Sequence, residues 1–252
     1  MNGGLLHDHV TLITGAGRGI GRAAALRFAQ EGAHVVICAR TKREIDQVAR
    51  HIRTAGGTVL AAAADISKPA AVDRLARAAV RRFGRIDSLI NNAGILGPRI
   101  PLAQYRIRDW VRVLTINLTG TFLVTQAVLR IMVARRRGCI VSLSSSVGRK
   151  GRAEWGAYAV SKFGVEGLSQ TLAQELEPYG IRIMTYNPGG TRTRMRAEAY
   201  PDEDPSRLRT PEAVADDLLR LVTRTSLAHS GMAFDRETLP APYRGHGPGS
   251  SR

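Results

Sequence analysis

The stretch VTLITGAGRGIG, residues 10–21, decides the fold class of this chain. Its first five residues form an apolar run typical of a buried strand, and a helical pattern begins near its end. The glycines between them allow a tight turn and a close approach of the backbone to a phosphate group, whose charge a helix N-terminus stabilises. Because the glycine-rich run lies between a strand and a helix, it predicts a dinucleotide-binding loop. The predicted contacts are Gly15, Gly17, Arg18, Gly19, Ile20 and Gly21.

The rest of the chain repeats this alternation of apolar runs and amphipathic segments. Runs typical of buried parallel strands cover 10–14, 34–39, 58–63, 87–91, 139–143 and 181–186, and a short final strand is expected at 234–235. Apolar residues at helical spacing cover 20–30, 42–54, 70–83, 110–136 and 158–177. This order predicts an α/β class: a single-domain, doubly wound Rossmann fold with a mostly parallel sheet of seven strands and helices on both faces. We expect the domain to span 1–238, followed by a flexible tail, 239–252, rich in Pro, Gly, Ser and Arg.

The chain carries a net charge of +16, with 37 basic residues of which only four are lysines. The arginines scatter over almost every predicted helix, so a solvated basic surface explains them better than a groove for nucleic acid. No apolar run approaches the ~20 residues of a membrane span, and residues 1–9 lack the features of a secretion signal. We therefore expect a cytoplasmic protein without a membrane partner. Cys38 and Cys139 lie in predicted strands as buried hydrophobes, and the histidines form no metal site.

The end of the second predicted strand reads Cys38-Ala39-Arg40-Thr41. In this fold a chain that binds NAD usually presents a carboxylate here to the ribose 2′-hydroxyl. No acid is present at this strand end, whereas Arg40 and Arg18 can pair with a 2′-phosphate. The pattern predicts NADP (NADPH) as the cofactor over NAD, although either arginine by itself could also be a solvated surface charge.

Tyr158 and Lys162 form the candidate reacting pair. They lie one turn apart on the same face of a predicted helix and can therefore share a site. A phenol has an unperturbed pKa of about 10, and a nearby ammonium stabilises its ionised form. We expect Lys162 to lower the pKa of Tyr158, and Tyr158 to act as a general acid and base. Because such pairs occur by chance on many helices, the pair indicates a catalytic site only together with the motifs around it.

The spacing Gly15-x-x-x-Gly19-x-Gly21, followed far along the chain by Tyr158 and Lys162, resembles the short-chain dehydrogenase/reductase family over roughly residues 6–235. The resemblance implies hydride transfer between a nicotinamide and the carbonyl or secondary alcohol of a small molecule. It also implies cofactor contacts from the strand ends that follow the glycine loop. These are Asp65, Ile66, Asn92, Ala93, Gly94, Pro188, Gly189, Thr191 and Thr193, with Tyr158 and Lys162 contributing from the reacting pair.

The same resemblance implies two further catalytic residues. Ser145 follows the fifth predicted strand, where the family places a serine that hydrogen-bonds the substrate oxygen. Gly148 sets the register that favours Ser145, and Ser144 and Ser146 are alternatives. Asn117 matches the fourth member of the catalytic set, through a water-mediated link to Lys162, although an asparagine there could simply lie on a helix face.

Several segments are similar, more narrowly, to the YciK-like group of bacterial short-chain oxidoreductases: 144–152, 155–158, 188–193, 203–205 and 230–235. Phe234-Asp235 departs from the Gly-Gly pair that many family members have in the final strand. That region often shapes subunit contacts, so we expect a homodimer or a homotetramer without choosing between them.

The substrate pocket is predicted to use Ile95, Leu96, Trp155 and Met195, with Ser145 at its base, Tyr200 as a further candidate and a lid over 192–209. Three functions follow. The first is an NADP(H)-dependent oxidoreductase for a carbonyl or alcohol substrate. The second is a 3-oxoacyl-[acyl-carrier-protein] reductase, since a basic surface suits an acidic carrier. The third is a non-catalytic protein that senses NADP or binds nucleic acid, which the complete catalytic set disfavours.

Overall fold

The computed structural model describes residues 4–241 and contains one sheet of seven parallel strands. The strands lie side by side in the order β3-β2-β1-β4-β5-β6-β7, which confirms the predicted doubly wound Rossmann fold. The bounds are β1 Val10–Thr14, β2 His34–Ala39, β3 Val59–Ala63, β4 Ser88–Asn91, β5 Gly138–Leu143, β6 Ile181–Tyr186 and β7 Ala233–Phe234. The strand order changes direction between β1 and β4. A crevice therefore opens beyond the carboxyl ends of these strands, and ligands of such sheets bind there.

Helices cover both faces of the sheet because successive strand residues point to opposite sides. The helices are α1 Gly19–Gln30, α2 Lys42–Thr54, α3 Pro69–Phe83, α4 Ile107–Leu114, α5 Gly120–Arg135, α6 Gly156–Leu176, α7 Arg194–Ala199 and α8 Pro211–Arg224. In β1, Leu12 packs among α3, α5 and α6, whereas Ile13 packs among α1, α2 and α8. Sequence periodicity missed α7 and α8. The proline at the first turn of α8 and the Thr210 cap that accepts the Ala213 N–H are the signals that mark its start.

The predicted helix 110–136 is longer and less regular than expected. A π-helical turn, Thr115–Thr119, joins α4 to α5 and places Asn117 in the protein interior. The continuous stretch Ile107–Arg135 is long and apolar enough to cross a membrane by length and composition, contrary to the sequence expectation. In this fold nearly half of its most apolar part is buried, where α5 packs against the sheet and against α3 and α6. The core thus accounts for part of its apolar character, while Ile107, Val111 and Phe122 stay exposed.

The chain after β7 does not leave the domain at once. Leu239 packs against the core beside α8, and the carbonyl of Pro240 accepts a hydrogen bond from Arg220. The predicted flexible tail, 239–252, therefore begins with residues that are in contact with the domain. Residues 242–252 lie outside the described part of the chain.

Candidate active site

A cavity of about 850 Å³ lies beyond the carboxyl ends of the strands. It brings together segments that are far apart in sequence: the glycine loop, the strand ends after β2 to β6, and the first turns of α6. Apart from the further candidate Tyr200, all but two of the predicted catalytic, cofactor and pocket residues line it. Those that do are Gly15, Gly17, Arg18, Gly19, Ile20, Arg40, Asp65, Ile66, Asn92, Ala93, Gly94, Ile95, Leu96, Ser145, Trp155, Tyr158, Lys162, Pro188, Gly189, Thr191, Thr193 and Met195.

Gly21 is one of the two predicted residues that do not line the cavity. It lies behind the loop, where a Cβ atom would stand 2.5 Å from the Gly15 carbonyl oxygen and 2.4 Å from the Asn92 amide nitrogen. That amide donates to the carbonyls of Thr14 and Gly15, at 2.9 and 3.1 Å. Gly21 therefore lets α1 approach the loop, and its predicted cofactor contact stays a prediction.

The glycine loop has the geometry that a dinucleotide needs. Gly15 and Gly19 have φ angles of 65° and 53°, which residues with a side chain rarely adopt. A Cβ on Gly15 would lie 2.8 Å from the Ala93 Cα, so the loop and the end of β4 pack without room for one. The methyl group of Thr193, from the loop after β6, lies 3.4 Å from where a Cβ of Gly19 would be. The loop is thus open to the cavity and bounded by the segments that follow β4 and β6, so the residues present fit a nicotinamide dinucleotide.

The end of the cavity beside β2 and β3 is rich in charge. Arg40 lies at its rim, near Asp65. Burial acts to raise the pKa of Asp65, but hydrogen bonds from Ser67 and the charges of Arg40 and Lys68 outweigh it and hold that pKa below its usual range. Arg18 forms a salt bridge with Glu44 at 3.4 Å. Glu44 was not predicted from the sequence, although it lies in the first turn of α2, three residues after Thr41.

Tyr158 and Ser145 meet at the base of the cavity. Tyr158 is 9% exposed, packs against Trp155 and shares a hydrogen bond with Ser145. Burial raises the pKa of Tyr158 to about 12, and the Ser145 hydrogen bond acts in the opposite direction. The expectation that Lys162 lowers the pKa of Tyr158 is therefore wrong for the protein without cofactor. At neutral pH the phenol is protonated.

The position of Lys162 explains this difference. Its ammonium donates a hydrogen bond to the Leu143 carbonyl at 2.6 Å and lies 5.6 Å from the centroid of the Tyr158 ring. Burial lowers the pKa of Lys162 to about 8, while the negative charge of Glu166 acts to raise it. The amine is thus directed at the end of β5, above the face of the tyrosine ring.

The three consecutive serines have different surroundings. Ser145 lines the cavity and hydrogen-bonds Tyr158. The Ser144 hydroxyl donates to the buried carboxylate of Glu166 at 2.5 Å. Ser146 begins a short 3₁₀ turn, Ser146–Gly148. The geometry therefore supports Ser145 over its two neighbours as the serine of the reacting end.

Asn117 is the second predicted residue that does not line the cavity. Its side-chain oxygen accepts from the Ile95 N–H at 2.8 Å, and its amide donates to the Ile95 carbonyl at 2.9 Å and to Ser161 Oγ at 3.1 Å. Both ends of the side chain are therefore occupied, and the structure places no direct contact between Asn117 and Lys162. Asn117 fixes the chain that follows β4, where Ile95 and Leu96 enter the cavity wall.

The end of the cavity that is predicted to take the substrate is formed by an apolar cluster that includes Leu96, Trp155, Ile95 and Met195. Tyr200 belongs to the cluster but lies behind the cavity wall. The predicted lid, 192–209, contains α7 and is fastened to the domain by Arg99, which sequence analysis did not single out. The Arg99 guanidinium lies 5.1 Å from the Trp155 ring and 5.0 Å from the Tyr200 ring, and it donates to the Ala199 carbonyl.

The family model for short-chain dehydrogenases matches residues 9–204. The chain belongs to this family. Among curated relatives, the chain is 40% identical to the uncharacterised oxidoreductase YciK of Escherichia coli K12, over 92% of this chain and 93% of that protein. It is 36% identical to a 3-oxoacyl-[acyl-carrier-protein] reductase of Synechocystis, over 91% of this chain and 96% of that one. These matches confirm the resemblance found in the sequence, and the chain is an oxidoreductase of this family.

Among solved structures of relatives, some contain NADP and another contains NAD⁺. A chain from Shigella flexneri 2a, assigned to the short-chain dehydrogenases and crystallised with NADP, superposes with a TM-score of 0.87 at 40% identity, over 94% of this chain and all of that one. An NAD⁺-bound xylitol dehydrogenase superposes with a TM-score of 0.84 at 30% identity, over 92% of this chain and 98% of that one. Structures similar to this chain thus include one with NADP and one with NAD⁺.

Proposed function

We propose that this chain is an NADP(H)-dependent oxidoreductase that interconverts a carbonyl compound and a secondary alcohol, with Tyr158 as general acid and base. The observation that carries the proposal is that Ser145, Tyr158 and Lys162 lie in the same cavity as the glycine loop. A cofactor on the loop and a small molecule on the apolar Trp155 wall would therefore meet at the Tyr158 hydroxyl. The membership in an oxidoreductase family supports the same reaction class.

The residues of the site have different roles in the reduction. When bound, the nicotinamide supplies a hydride equivalent to the carbonyl carbon. Ser145 and Tyr158 donate hydrogen bonds to the carbonyl oxygen, which gains negative charge in the transition state. Tyr158 then gives its proton to that oxygen, and its raised pKa keeps it protonated at neutral pH. In the oxidation, Tyr158 accepts the proton. Lys162 would hold the cofactor ribose, and Asn117 keeps Ile95 in place beside the substrate.

The preference for NADP rests on Arg40. Its guanidinium lies at the cavity rim without an acid at the end of β2, so it is available to a 2′-phosphate. Arg18 can join it, because its 3.4 Å pair with Glu44 is exposed and such pairs are weak. Binding of NADP by a relative at 40% identity supports this choice.

Replacing Arg40 by alanine tests the cofactor preference. We expect the Kd for NADPH to rise about tenfold or more, since one charge-assisted contact to phosphate is lost, and the Kd for NADH to change by less than about twofold. Fluorescence titration with each cofactor measures both constants. Arg77→Ala, an exposed arginine on α3, is the control and should change neither. Tighter binding of NADH than NADPH by the unaltered protein would contradict the NADP assignment.

A panel of carbonyl and alcohol compounds followed by NADPH absorbance tests the proposed activity. Medium-chain ketones, aldehydes and acetoacetyl thioesters form its first arm. The relative at 36% identity favours a second candidate function, 3-oxoacyl-[acyl-carrier-protein] reduction, and turnover of acetoacetyl thioesters above that of simple ketones would promote it. Salt-dependent DNA binding without turnover of any compound would instead favour the non-catalytic alternative.

We also propose that the chain forms a homodimer through α4, α5 and α6. These neighbouring helices carry large apolar side chains that are exposed: Ile107, Val111, Phe122, Val160 and Phe163. Whether two such dimers form a tetramer depends on the region of Phe234-Asp235.

Phe122→Glu should convert the homodimer to a monomer, because a charge on this face loses hydration when a second copy covers it. Sedimentation equilibrium of the two proteins measures the change in mass. Leu227→Glu, at a residue of similar exposure outside these helices, is the control and should leave the mass unchanged. A dimer that survives Phe122→Glu would exclude this face as the interface.

A further inference from the structure

A buried carboxylate lies one helical turn after Lys162. Glu166 is 6% exposed, and the reaction described above makes no use of it. Its oxygens accept hydrogen bonds from three side chains on different segments: Ser144 Oγ at 2.5 Å, Thr185 Oγ1 at 2.5 Å and Arg149 Nε at 3.1 Å. A buried charge with so many donors is bound firmly to its surroundings, because losing any of them leaves it unsatisfied.

Arg149 extends this arrangement to the last strand. One of its guanidinium nitrogens donates to Asp235 Oδ2 at 2.5 Å and another to the Phe234 carbonyl at 3.1 Å. Asp235 in turn accepts from the Asn187 amide at 2.7 Å. Asn187 immediately precedes the Pro188-Gly189 segment of the cavity wall. We name Glu166, Arg149 and Asp235 the ionic bridge, to which Asn187 is attached by its amide.

The ionic bridge joins the carboxyl ends of β5, β6 and β7. Ser144 follows β5, Thr185 lies in β6, and Phe234 ends β7. Ser145 and Pro188 leave the sheet at this same edge, next to the residues that the bridge holds. A small displacement of these strand ends would therefore move the reacting serine and the loop that covers the cofactor.

Glu166 also lies one helical turn from Lys162 on α6, and its negative charge acts on the Lys162 amine. On α6, the charged or titratable neighbours of this amine are Glu166 and Tyr158, whose ring lies 5.6 Å from it. From β5 the amine meets the uncharged carbonyl of Leu143, and the charge of Arg149 is paired with Glu166 in a salt bridge. Glu166 is thus the group that counters the burial of the ammonium.

We propose that Glu166 and Arg149 are positioning residues: their ionic bridge holds Ser145 and the Pro188-Gly189 loop in place, and Glu166 supplies the counter-charge that Lys162 faces. This inference rests on the proposed function for its catalytic meaning. The motifs that carry it, Gly148-Arg149 and Phe234-Asp235, have no role in the reaction described above.

The first test measures the pKa of Lys162 directly, without cofactor or substrate. The chain has only four lysines, so ¹³C-labelled lysine gives a simple NMR spectrum, and Lys162→Met assigns the signal of interest. In Glu166→Gln we expect the pKa of Lys162 to fall by roughly one unit, because the nearby negative charge is gone while the shape is kept. Glu166→Asp keeps the charge and should restore most of the value. Glu175→Gln, an exposed glutamate on the same helix, should change nothing. An unchanged pKa in Glu166→Gln would overturn the counter-charge role.

The second test examines the strand ends and stands even where Glu166→Gln does not fold. Arg149→Lys keeps the charge but cannot reach Glu166, Asp235 and the Phe234 carbonyl together. We expect NADPH to bind about tenfold more weakly by fluorescence titration, and kcat to fall at least as much. Arg77→Lys is the matched control. Wild-type affinity and kcat in Arg149→Lys would overturn the positioning role. If the unaltered protein binds NADPH but reduces no carbonyl, the proposed function fails, while the lysine titration and NADPH affinities still judge this inference.

Discussion

Tyr158→Phe is expected to reduce turnover by at least ~100-fold, the usual contribution of a positioned general acid. The variant keeps the aromatic ring that packs against Trp155 and loses only the hydroxyl shared with Ser145. NADPH affinity should therefore stay within about twofold, because the glycine loop and Arg40 are unchanged. Steady-state kinetics on the best carbonyl of the panel and a fluorescence titration with NADPH measure the two quantities.

Tyr179→Phe provides the control for this substitution. Tyr179 is a partly exposed tyrosine near the carboxyl end of α6, in contact with Arg136 and outside the cavity. Removal of the Tyr179 hydroxyl in Tyr179→Phe should leave turnover at the wild-type value. If Tyr158→Phe retained most of its turnover, proton donation would have to come from another group, and the mechanism proposed above would be abandoned.

Lys162→Met is expected to change activity and stability in opposite directions. Turnover should fall at least ~100-fold, as for the loss of other preorganised electrostatic groups in active sites. The folded protein should become more stable, because methionine fills the same space without placing an ammonium in a buried site. The pKa of about 8 corresponds to a cost of charging Lys162, relative to its usual 10.5. After subtraction of the lost hydrogen bond to Leu143, the gain is on the order of 2 kcal/mol.

The pH dependence of this gain identifies its origin. Because the folded-state pKa lies below the unfolded value, the unfolded chain binds more protons between pH 8 and 10.5, and the stability of the wild type rises with pH there. The advantage of Lys162→Met should therefore be largest below pH 8 and disappear above 10.5. Denaturant unfolding at several pH values measures it. If Lys162→Met were no more stable than the wild type at pH 7, or if its gain in stability did not change with pH, burial of the Lys162 charge would not destabilise the folded protein.

The order of strands and helices could be predicted because buried parallel strands and amphipathic helices leave clear periodic patterns. The pair Tyr158 and Lys162 could be found from its spacing and from the motifs around it. The pKa values of these two side chains could not be predicted. These pKa values depend on burial, on the hydrogen bond with Ser145 and on the charge of Glu166, and no local pattern records the burial or the Ser145 contact.

The residues missed by sequence analysis act through contacts between distant segments. Glu44 and Arg99 are ordinary charged residues in the sequence. Only the packing of α2 brings Glu44 to the cavity, and only the packing of the lid brings Arg99 against Ala199. Asn117 was found, but its side chain holds Ile95 because a π-helical turn rotates it inward. Glu166 left one usable signal: it lies four and eight residues after Lys162 and Tyr158, on the same face of α6, where a charge needs a buried partner.

Deuterium transfer tests the central claim most directly. NADPH carrying deuterium at the transferable position of its nicotinamide is incubated with the carbonyl panel, and the alcohol products are analysed by mass spectrometry. The proposed function predicts an alcohol with one deuterium on its carbinol carbon from the wild type, and at least ~100-fold slower formation by Tyr158→Phe. NADPH binding without deuterium in any product, or equal rates for the two proteins, would contradict it.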